Sequence, residues 1–382
     1  MTHPLFRNAD VLLSLTFLLL CSVLWFVPTG FESRVDSRAV QCKAEILDTD
    51  DVDIQRLGLV LAGEQSVRLR VLDGPFAGRE FQGVNPLLGQ MDRDKIFQPG
   101  DTALVVLTLE ENGEVLYVNP QEHYRIGLEL LLLGMFAGLL LLFGGWTGAK
   151  ALLSFVFAGL MIWKVLVPLL LLGADPIRLS LGVVALLCGA IIFLVAGLTR
   201  KGLAAFLGAF LGVLTSCFLA VLFTDAFHVH GALLPFASTL LYSGYAHLDL
   251  TGIFVAAVFL ASSGAVMDLA MDVAASMDEV VSKKPDISRF EAFVSGVRVG
   301  RAVVGTMTTT LLLAYSGGYV TLLMAFMAQG VPLTNTFNLV YVAAEILKTL
   351  VGSFGLVLVA PFTALAGALL LTRGKNTNRP RP

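Results

Sequence analysis

Charged residues are scarce in this sequence of 382 residues. Asp, Glu, Lys and Arg make up only 14% of it, whereas a soluble globular domain carries about 25%. Hydrophobic residues make up 56%. A chain of this length can bury a sizeable core, but one core does not hold so many apolar side chains, and the remainder must face lipid. The composition therefore excludes a soluble globular protein and predicts an α-helical polytopic membrane protein.

Motifs for catalysis and for nucleic-acid binding are also lacking. The sequence contains no Walker-type phosphate loop, no nucleophile elbow and no HExxH helix. Its net charge of −3 argues against a nucleic-acid partner. The four cysteines, Cys21, Cys42, Cys188 and Cys217, are far apart and imply neither a CxxC site nor a disulfide framework. We expect no enzymatic activity and no cofactor.

The first apolar run covers residues 11–27 and follows Arg7. Such a run is typical of a signal peptide or of a membrane anchor. Because the exit sequence Trp25-Phe26-Val27-Pro28 offers no small-x-small cleavage site, we interpret residues 1–30 as an uncleaved anchor helix.

Residues 31–124 contain many carboxylates and short alternating stretches, separated by turn signals such as Asp73-Gly74-Pro75 and Glu111-Asn112-Gly113. The pattern predicts a small all-β domain of five or six strands inserted between the first two membrane spans. We expect it to close as an OB-like barrel, because a barrel leaves no open edge. The predicted strands cover residues 39–47, 57–62, 66–72, 79–84, 102–109 and 114–118.

Residues 125–373 are predicted to form a multi-span helical domain. Apolar runs long enough to cross a bilayer lie at residues 130–149, 151–174, 179–199, 202–224, 250–267 and 349–372. Between Arg301 and Glu345 no residue is charged, but Ser316-Gly317-Gly318 and Gly330-Val331-Pro332 predict breaks in this stretch.

Lys and Arg cluster at residues 200–201, at 283–289 and in the tail 374–382. The positive-inside rule places these segments and both termini in the cytoplasm, and the β domain outside. We expect eight spans in the cytoplasmic membrane, one of them near residues 299–314. Residues 316–341 are expected to be broken and partly re-entrant. Two full spans within residues 302–344 would give nine and would put the basic tail outside.

Asp268 and Asp272 are four residues apart, so both carboxylates project from one face of a continuing helix. Two like charges there require a cation, a proton or an arginine nearby, which suggests a coupling-ion or proton site. In the alternative interpretation both lie in cytoplasmic headgroup water. Arg298 and Arg301 start the next span either as positive-inside anchors or as partners of these carboxylates.

Four hydroxyls follow within that span, on Thr306, Thr308, Thr309 and Thr310. In a helix such hydroxyls bond their own backbone, and they also suit a polar pathway. Glu345 and Lys348 stand three apart, as an ion pair at the membrane interface or as a buried gate pair. Among these residues the candidate ion or substrate pathway comprises Asp268, Asp272, Arg298, Arg301, Thr308, Thr309, Glu345 and Lys348.

Three histidines and an aspartate flank the ends of two consecutive spans, at His228, His230, His247 and Asp249. Converging there, they would bind a metal, although their spacing matches no recognised zinc pattern.

Several strings in the last 120 residues resemble the YibE/F-like family of bacterial multi-spanning membrane proteins. They are Gly264-Ala265-Val266-Met267-Asp268 through Glu279, Gly300 and Gly305 through Gly317, and Glu345-Ile346 to Gly352-Ser353-Phe354-Gly355 with Pro361. The resemblance covers nearly the whole chain, including the soluble domain after the first span. It implies a bacterial source and this architecture, and it implies no catalytic residue.

Two functions remain as hypotheses from the residues. One is a permease or secondary-transporter-like protein of unknown substrate. The other is a non-transporting scaffold or accessory subunit that docks through its extracytoplasmic domain. The expected partners are the lipid bilayer and either a second copy of the chain or a membrane subunit. A membrane enzyme using the histidine loop is a third and weaker hypothesis.

Overall fold

The computed structural model describes residues 4–34, 36 and 38–372, with the backbone alone for residues 4–9. The chain folds as two compact units. The β unit comprises residues 30–142, and the helical unit comprises the described parts of residues 1–29 and 143–382. The predicted basic tail at residues 374–382 and the side chain of Arg7 lie outside the described residues.

The β unit contains a six-stranded antiparallel sheet. Its strands are β1 (Ala39–Asp50), β2 (Ile54–Leu57), β3 (Val60–Val71), β4 (Glu80–Leu88), β5 (Thr102–Leu109) and β6 (Val115–His123). The order is β2-β3-β1-β5-β6, and β4 also pairs with β3. Alternate residues of β1, β3 and β5 enter one apolar core, as the two-residue period of a strand requires. The single strand predicted at residues 57–62 is interrupted. Residue 57 ends β2 and residues 60–62 begin β3, because Gly58 adopts φ 68° in the tight turn between these two strands.

The sheet curls until β4 lies beside β6. A Cβ atom added to Gly83 of β4 would be 2.9 Å from the carbonyl oxygen of Val118 on β6, so only glycine fits at this approach. The buried amide of Gln65 holds the long connection between β4 and β5 in place. The Gln65 side chain donates to the carbonyl oxygen of Phe97 at 2.9 Å and accepts the N–H of Phe97 at 3.0 Å. Hydrogen bonds rather than regular structure therefore hold this connection.

Among the described residues, six helical runs are long and apolar enough to cross a membrane. They are Ile126–Leu171, Pro176–Ala196, Arg200–Ala226, Leu250–Lys283, Arg289–Ala328 and Val340–Leu371. A shorter apolar stretch, Asp10–Phe26, belongs to the first helix, α1 (Pro4–Phe26). The helical content and these lengths agree with a membrane protein.

The run Ile126–Leu171 is continuous, where the sequence predicts two separate spans. It consists of α2 (Ile126–Met161), one π-helical turn and α3 (Val167–Leu171). Gly145 interrupts α2 with φ 52° and ψ −128°, a conformation that glycine adopts at little cost. The apparent single helix is therefore two helical pieces that meet at Gly145.

Two polar contacts join α1 to the helical piece that follows Gly145. Lys150 Nζ lies 3.8 Å from Asp10 Oδ2, and Lys164 Nζ donates to the carbonyl oxygen of Val27 at 2.9 Å. Asp10 precedes Val27 on α1, and their partners Lys150 and Lys164 follow in the same order, so α1 and this piece run parallel. The charge of Lys164, which interrupts an apolar run in the sequence, lies at the C-terminal end of α1, where a cation is favourable.

Five long helices form the core of the helical unit, with the short α6 (Ala237–Tyr242) in the loop between two of them. They are α4 (Pro176–Ala196), α5 (Arg200–Ala226), α7 (Leu250–Lys283), α8 (Arg289–Ser316) and α11 (Val340–Leu371). Asp175, Thr199, Asp249 and Ser288 begin four of them, each accepting a backbone N–H of the first turn. These are preferred N-cap residues, so the sequence itself marks where each helix starts.

Small residues let α5 approach α11 closely. Gly208, Gly212 and Ser216 are four apart and face α11, and the Ser216 hydroxyl donates to the carbonyl oxygen of Val351 at 3.4 Å. A Cβ atom on Gly212 would lie 3.1 Å from the carbonyl oxygen of Gly355. In lipid, packing between small residues replaces the hydrophobic effect as the main attraction between helices.

A second contact of the same kind joins α8 to α11. Gly296 faces Ala364, and Gly300 faces Ala360. Both helix pairs run antiparallel, so the bundle has two distinct ends. The Asp249 end holds the N-termini of α4, α7 and α11 and the C-termini of α5 and α8. The Lys283 end holds the turn between α7 and α8.

After α8 the helical run continues as shorter pieces as far as Ala328 and then turns. One turn of 3₁₀ helix (Gly317–Tyr319) leads into α9 (Val320–Ala328), and α10 (Leu333–Asn338) follows. Gly330 turns the chain between them with φ 67°. The Gly-rich breaks predicted here are therefore present, although the first of them tightens the helix rather than ending it.

Candidate functional site

Glu345 and Lys348 form an ion pair inside the helical unit. Lys348 Nζ lies 2.7 Å from Glu345 Oε1, and the two side chains are only 22% and 24% exposed, Lys348 first. The sequence places the two residues between apolar runs, whereas the structure has them in the second and third turns of the continuous helix α11. Helical spacing of three residues brings the two side chains together on one face.

One aromatic residue from each of two other helices lies near this pair. Lys348 Nζ lies 5.4 Å from the centre of the Phe254 ring of α7, within the range of a cation–π interaction. Tyr315, near the end of α8, has a buried hydroxyl with no hydrogen-bond partner among the described residues. Gly352, one turn beyond Lys348, leaves space beside the Tyr315 hydroxyl. A Cβ atom there would be 3.7 Å from that hydroxyl and 3.0 Å from Ser262. We name Glu345, Lys348, Phe254 and Tyr315 the ion-pair site.

Sequence reasoning missed Phe254 and Tyr315. Tyr315 stands at the end of an apolar run just before the Gly-rich break, and a phenol inside such a run is a polar signal. Phe254 gives no such signal, since it is one apolar residue among many.

A pocket of about 430 Å³ opens at the Asp249 end, between the ends of α4, α5 and α7. We name it the acidic pocket. Two carboxylates line it, and its lining contains neither Lys nor Arg. Its lining residues are Ile177, Val221, Thr224, Asp225, His228, Val229, Asp249, Thr251, Gly252 and Val255.

The polar groups of the acidic pocket differ in how they are bonded. Asp249 caps α7, with Oδ1 accepting the N–H of Gly252 at 2.9 Å. The Thr224 hydroxyl is buried and has no partner among the described residues. His228 adopts φ 51°, which is unusual for a residue with a side chain. Unpaired polar groups and local strain concentrate at functional sites, and here both occur at one pocket.

The residues predicted to bind a metal are divided between several places. His228 and Asp249 line the acidic pocket. His247 lines a neighbouring pocket, which Asp249 also borders, and its Nε2 lies 3.2 Å from the carbonyl oxygen of Leu171. His230 precedes a 3₁₀ turn. Throughout the described residues, no group of three or more His, Cys, Asp and Glu side chains is placed to hold a metal ion. The structure therefore does not gather the four predicted ligands.

Asp268 and Asp272 share an exposed face of α7, as their spacing predicts, and Arg298 and Arg301 are exposed on α8. The two helices are neighbours, and a Cβ atom on Gly300 would be 3.6 Å from Val273 Cγ2. Asp272 and Arg301 therefore lie at the same level of the bundle. Among the described residues, however, no ion pair joins either carboxylate to either guanidinium.

The threonines of α8 bond their own helix. The hydroxyl of Thr308 donates to the carbonyl oxygen of Val304 at 3.0 Å, and that of Thr309 to Gly305 at 3.1 Å. Thr306 and Thr310 do the same. These hydroxyls are satisfied locally, which is the common arrangement for Ser and Thr in helices.

Comparison with known proteins gives one match. Residues 132–373 match the family described as YibE/F-like protein, and this stretch contains the ion-pair site, the acidic pocket and every predicted pathway residue. No curated protein and no solved structure matches the chain. The match covers more than half of the chain and agrees with the resemblance found in its motifs, so this membrane protein belongs to the YibE/F-like family.

Proposed function

We propose that the chain is a proton-coupled permease for small cationic solutes. The observation that carries this proposal is the Glu345–Lys348 pair, held mostly out of solvent within the helical unit. Burying two charges costs on the order of several kcal/mol per ion before their mutual attraction is counted. Ionisable residues inside membrane helices are retained chiefly where function needs them. The carboxylate of Glu345 and the amine of Lys348 lie in hydrogen-bond contact and are two groups that can bind or release a proton.

The acidic pocket supports the choice of solute. Its volume of about 430 Å³ suits a small organic molecule. Asp225 and Asp249 make it attractive to cations, and neither Lys nor Arg is among its lining residues. Phe254 contacts the ion pair and Val255 lines the pocket, so adjacent residues of α7 connect the two sites. Binding of a cation in the acidic pocket can thus affect the ion pair through α7.

The segment after Tyr315 supports a transporter over a rigid scaffold. Transporters build their sites beside discontinuous helices, where chain breaks free backbone groups and permit movement. Here the 3₁₀ turn, α9 and α10 follow the ion-pair site directly. We propose that these short pieces are re-entrant and form the movable side of the pathway.

The proposed topology has eight spans in the cytoplasmic membrane, with both termini in the cytoplasm. Its support is the parallel arrangement of α1 and the helical piece after Gly145. Two parallel spans need a reversed span between them in the chain, and the apolar run of residues 130–149 predicts one there. The break at Gly145 is then a turn between two spans. Reporter fusions after residue 372 test this topology, since an extracytoplasmic C-terminus would contradict it.

We further infer that the sheet of the β unit closes as an OB-like barrel outside the membrane. The support is the strand order, together with the approach of β4 to β6 at Gly83 and Val118. Gly83→Val should separate these strands and speed amide hydrogen exchange in β6. Exchange that is unchanged in the variant would contradict closure.

Flux through reconstituted vesicles tests the permease proposal. Vesicles containing a pH-sensitive dye are given methylammonium, tetramethylammonium or a short diamine, with acetate and sorbitol as anionic and neutral counterparts. We expect at least one cation to accelerate proton movement in the wild type, and Glu345→Gln to slow it at least tenfold. The double variant Glu345→Gln with Lys348→Met leaves no charge unpaired but removes both groups that bind protons, and it serves as the control. If this double variant restores full flux, the pair is structural and the proposal is wrong.

A second function, docking of a partner through the β unit, is favoured by one groove. It has a volume of about 540 Å³, crosses β1, β3 and β4, and is lined by polar residues that include Asp48, Asp50, Arg68 and Gln82. Deletion of residues 31–124 should then remove a copurifying protein. A chain that purifies alone at every salt concentration would count against docking.

A further inference from the structure

The outward faces of α7 and α8 carry charges that the described part of the chain does not neutralise. On α7 the acidic face comprises exposed residues spaced three or four apart: Ala261, Gly264, Asp268, Asp272 and Ala275. On α8 the basic face comprises Arg298, Arg301, Gly305 and Thr309, which are also exposed. Apart from these charges the two faces are made of small residues.

Both faces lie on helices of membrane-spanning length. Lipid does not hydrate a carboxylate, and an aspartate side chain is too short to reach distant water as Lys and Arg do. The small residues beside the charges would let another helix approach closely. Against lipid such a face is unfavourable, and against a protein surface of opposite charge it is favourable.

We propose that these faces form the interface of a homodimer. In it, Asp272 of one copy pairs with Arg301 of the other, and Arg301 of the first with Asp272 of the second. The argument rests on charge complementarity at matched depth. Val273 follows Asp272, Gly300 precedes Arg301, and these two neighbours contact each other across α7 and α8. A two-fold axis along the bundle keeps that depth equal in both copies, and an axis that passes beside α7 and α8 brings the acidic face of each copy to the basic face of the other.

The small residues follow the same register. Gly264 precedes Val273 on α7 by as many residues as Thr309 follows Gly300 on α8. Because the two helices are antiparallel and Val273 contacts Gly300, Gly264 and Thr309 lie at the same level. A Cβ atom on Gly264 meets nothing within 4 Å, so the face of α7 has room for a helix from the second copy.

Charge reversal tests the dimer in detergent and in lipid nanodiscs, with the mass measured by light scattering. We expect the wild type at twice the mass of one chain. Asp272→Arg and Arg301→Asp alone should each lower the dimer fraction at least tenfold, and the two together should restore it. Arg178→Asp is the matched control, since this exposed arginine of α4 lies outside the interface.

Cross-linking adds a distance to this test. Two differently tagged copies are made, one with Gly264→Cys and one with Thr309→Cys, and are then oxidised together. All four native cysteines are buried, so they contribute little background. We expect a disulfide between the two tags that Asp272→Arg abolishes. A monomeric wild type, or single reversals that melt normally and stay dimeric, would overturn the proposal. So would a well-folded double reversal that stays monomeric.

Discussion

Two sets of charges in the helical unit behave differently. Glu345 and Lys348 meet at 2.7 Å within one helix and are largely covered by α7 and α8. Asp272 and Arg301 lie at one level on neighbouring helices, are exposed, and form no ion pair among the described residues. Glu345 and Lys348 neutralise each other within the chain, whereas Asp272 and Arg301 would be neutralised only by another surface. In a membrane helix, then, charge alone does not reveal a site, and the partner of each charge decides its role.

The largest effect is expected from breaking the buried pair. Lys348→Met leaves the Glu345 carboxylate without its partner, and losing one member of a buried pair costs about 3–5 kcal/mol. Thermal melting in detergent measures this loss. Glu345→Gln combined with Lys348→Met should recover most of it, because no charge is left unpaired.

Lys283→Met provides the matched control for that measurement. Lys283 pairs with Glu279 at 2.6 Å, but both side chains are mostly exposed. Exposed pairs contribute little to stability, because water and salt screen their attraction. Equal losses from Lys348→Met and Lys283→Met would remove the distinction between a buried and an exposed pair.

A smaller effect is expected from the contact that holds α11 in the bundle. Gly212→Leu places a side chain against Val266 and the carbonyl oxygen of Gly355, and overpacking of this kind costs about 1–3 kcal/mol. Because α11 carries the ion pair, flux should fall together with stability. Gly182→Leu on α4, where a Cβ atom meets nothing within 4 Å, should change neither. If both variants melt alike, small-residue packing does not position the pair.

Neutralising the exposed set should scarcely affect the stability of one copy. Asp272→Asn and Arg301→Gln remove charges that have no partner in the described chain, and such surface changes stay within about 0.5 kcal/mol. Melting of the isolated monomer measures this value. A loss of several kcal/mol would mean that the two residues act within one copy, as Glu345 and Lys348 do.

The smallest effect concerns Cys42 in the β unit, whose thiol reactivity contributes to the background of the cross-linking experiment. Burial, with Asp73 nearby, raises the pKa of the Cys42 thiol to about 11. Because only the thiolate reacts, alkylation near pH 8 should be roughly 100-fold slower than at an exposed cysteine and should rise with pH up to about 11. Mass spectrometry after timed alkylation measures the rate. Rapid labelling at pH 8 would contradict burial of this thiol.

Local features of the sequence predict much of this fold. Alternation in β1, β3 and β5 and the turn residues between the strands predict an all-β segment, and it is present. The run of residues without charge between Arg301 and Glu345 predicts broken helices at its glycines, and Gly330 does end one. The strand prediction at residues 57–62 is right for residues 57 and 60–62 but misses the turn at Gly58, because the alternation continues across it. The break at Gly145 gives no signal because it lies inside one apolar run, where hydropathy is the same on both sides.

The candidate site is less accessible from the sequence. Spacing places Glu345 and Lys348 on one face of a helix, and Asp268 and Asp272 on one face of another. It does not show that Phe254 and Tyr315 join the first pair, since these two residues belong to other helices and lie far from Lys348 along the chain. Nor does it show that His228 and His247 line different pockets. Contacts of this kind depend on which helices become neighbours.

The sequence by itself determined the class of the protein: charge is too scarce and apolar runs are too long for any solvent but lipid, and period and caps mark the helices and strands. These properties are local, because they depend on a residue and the next few along the chain. The tertiary structure decided which charges are paired and which are exposed. That outcome depends on how closely α5 and α8 approach α11 through glycines, and such approach is a property of two helices at once.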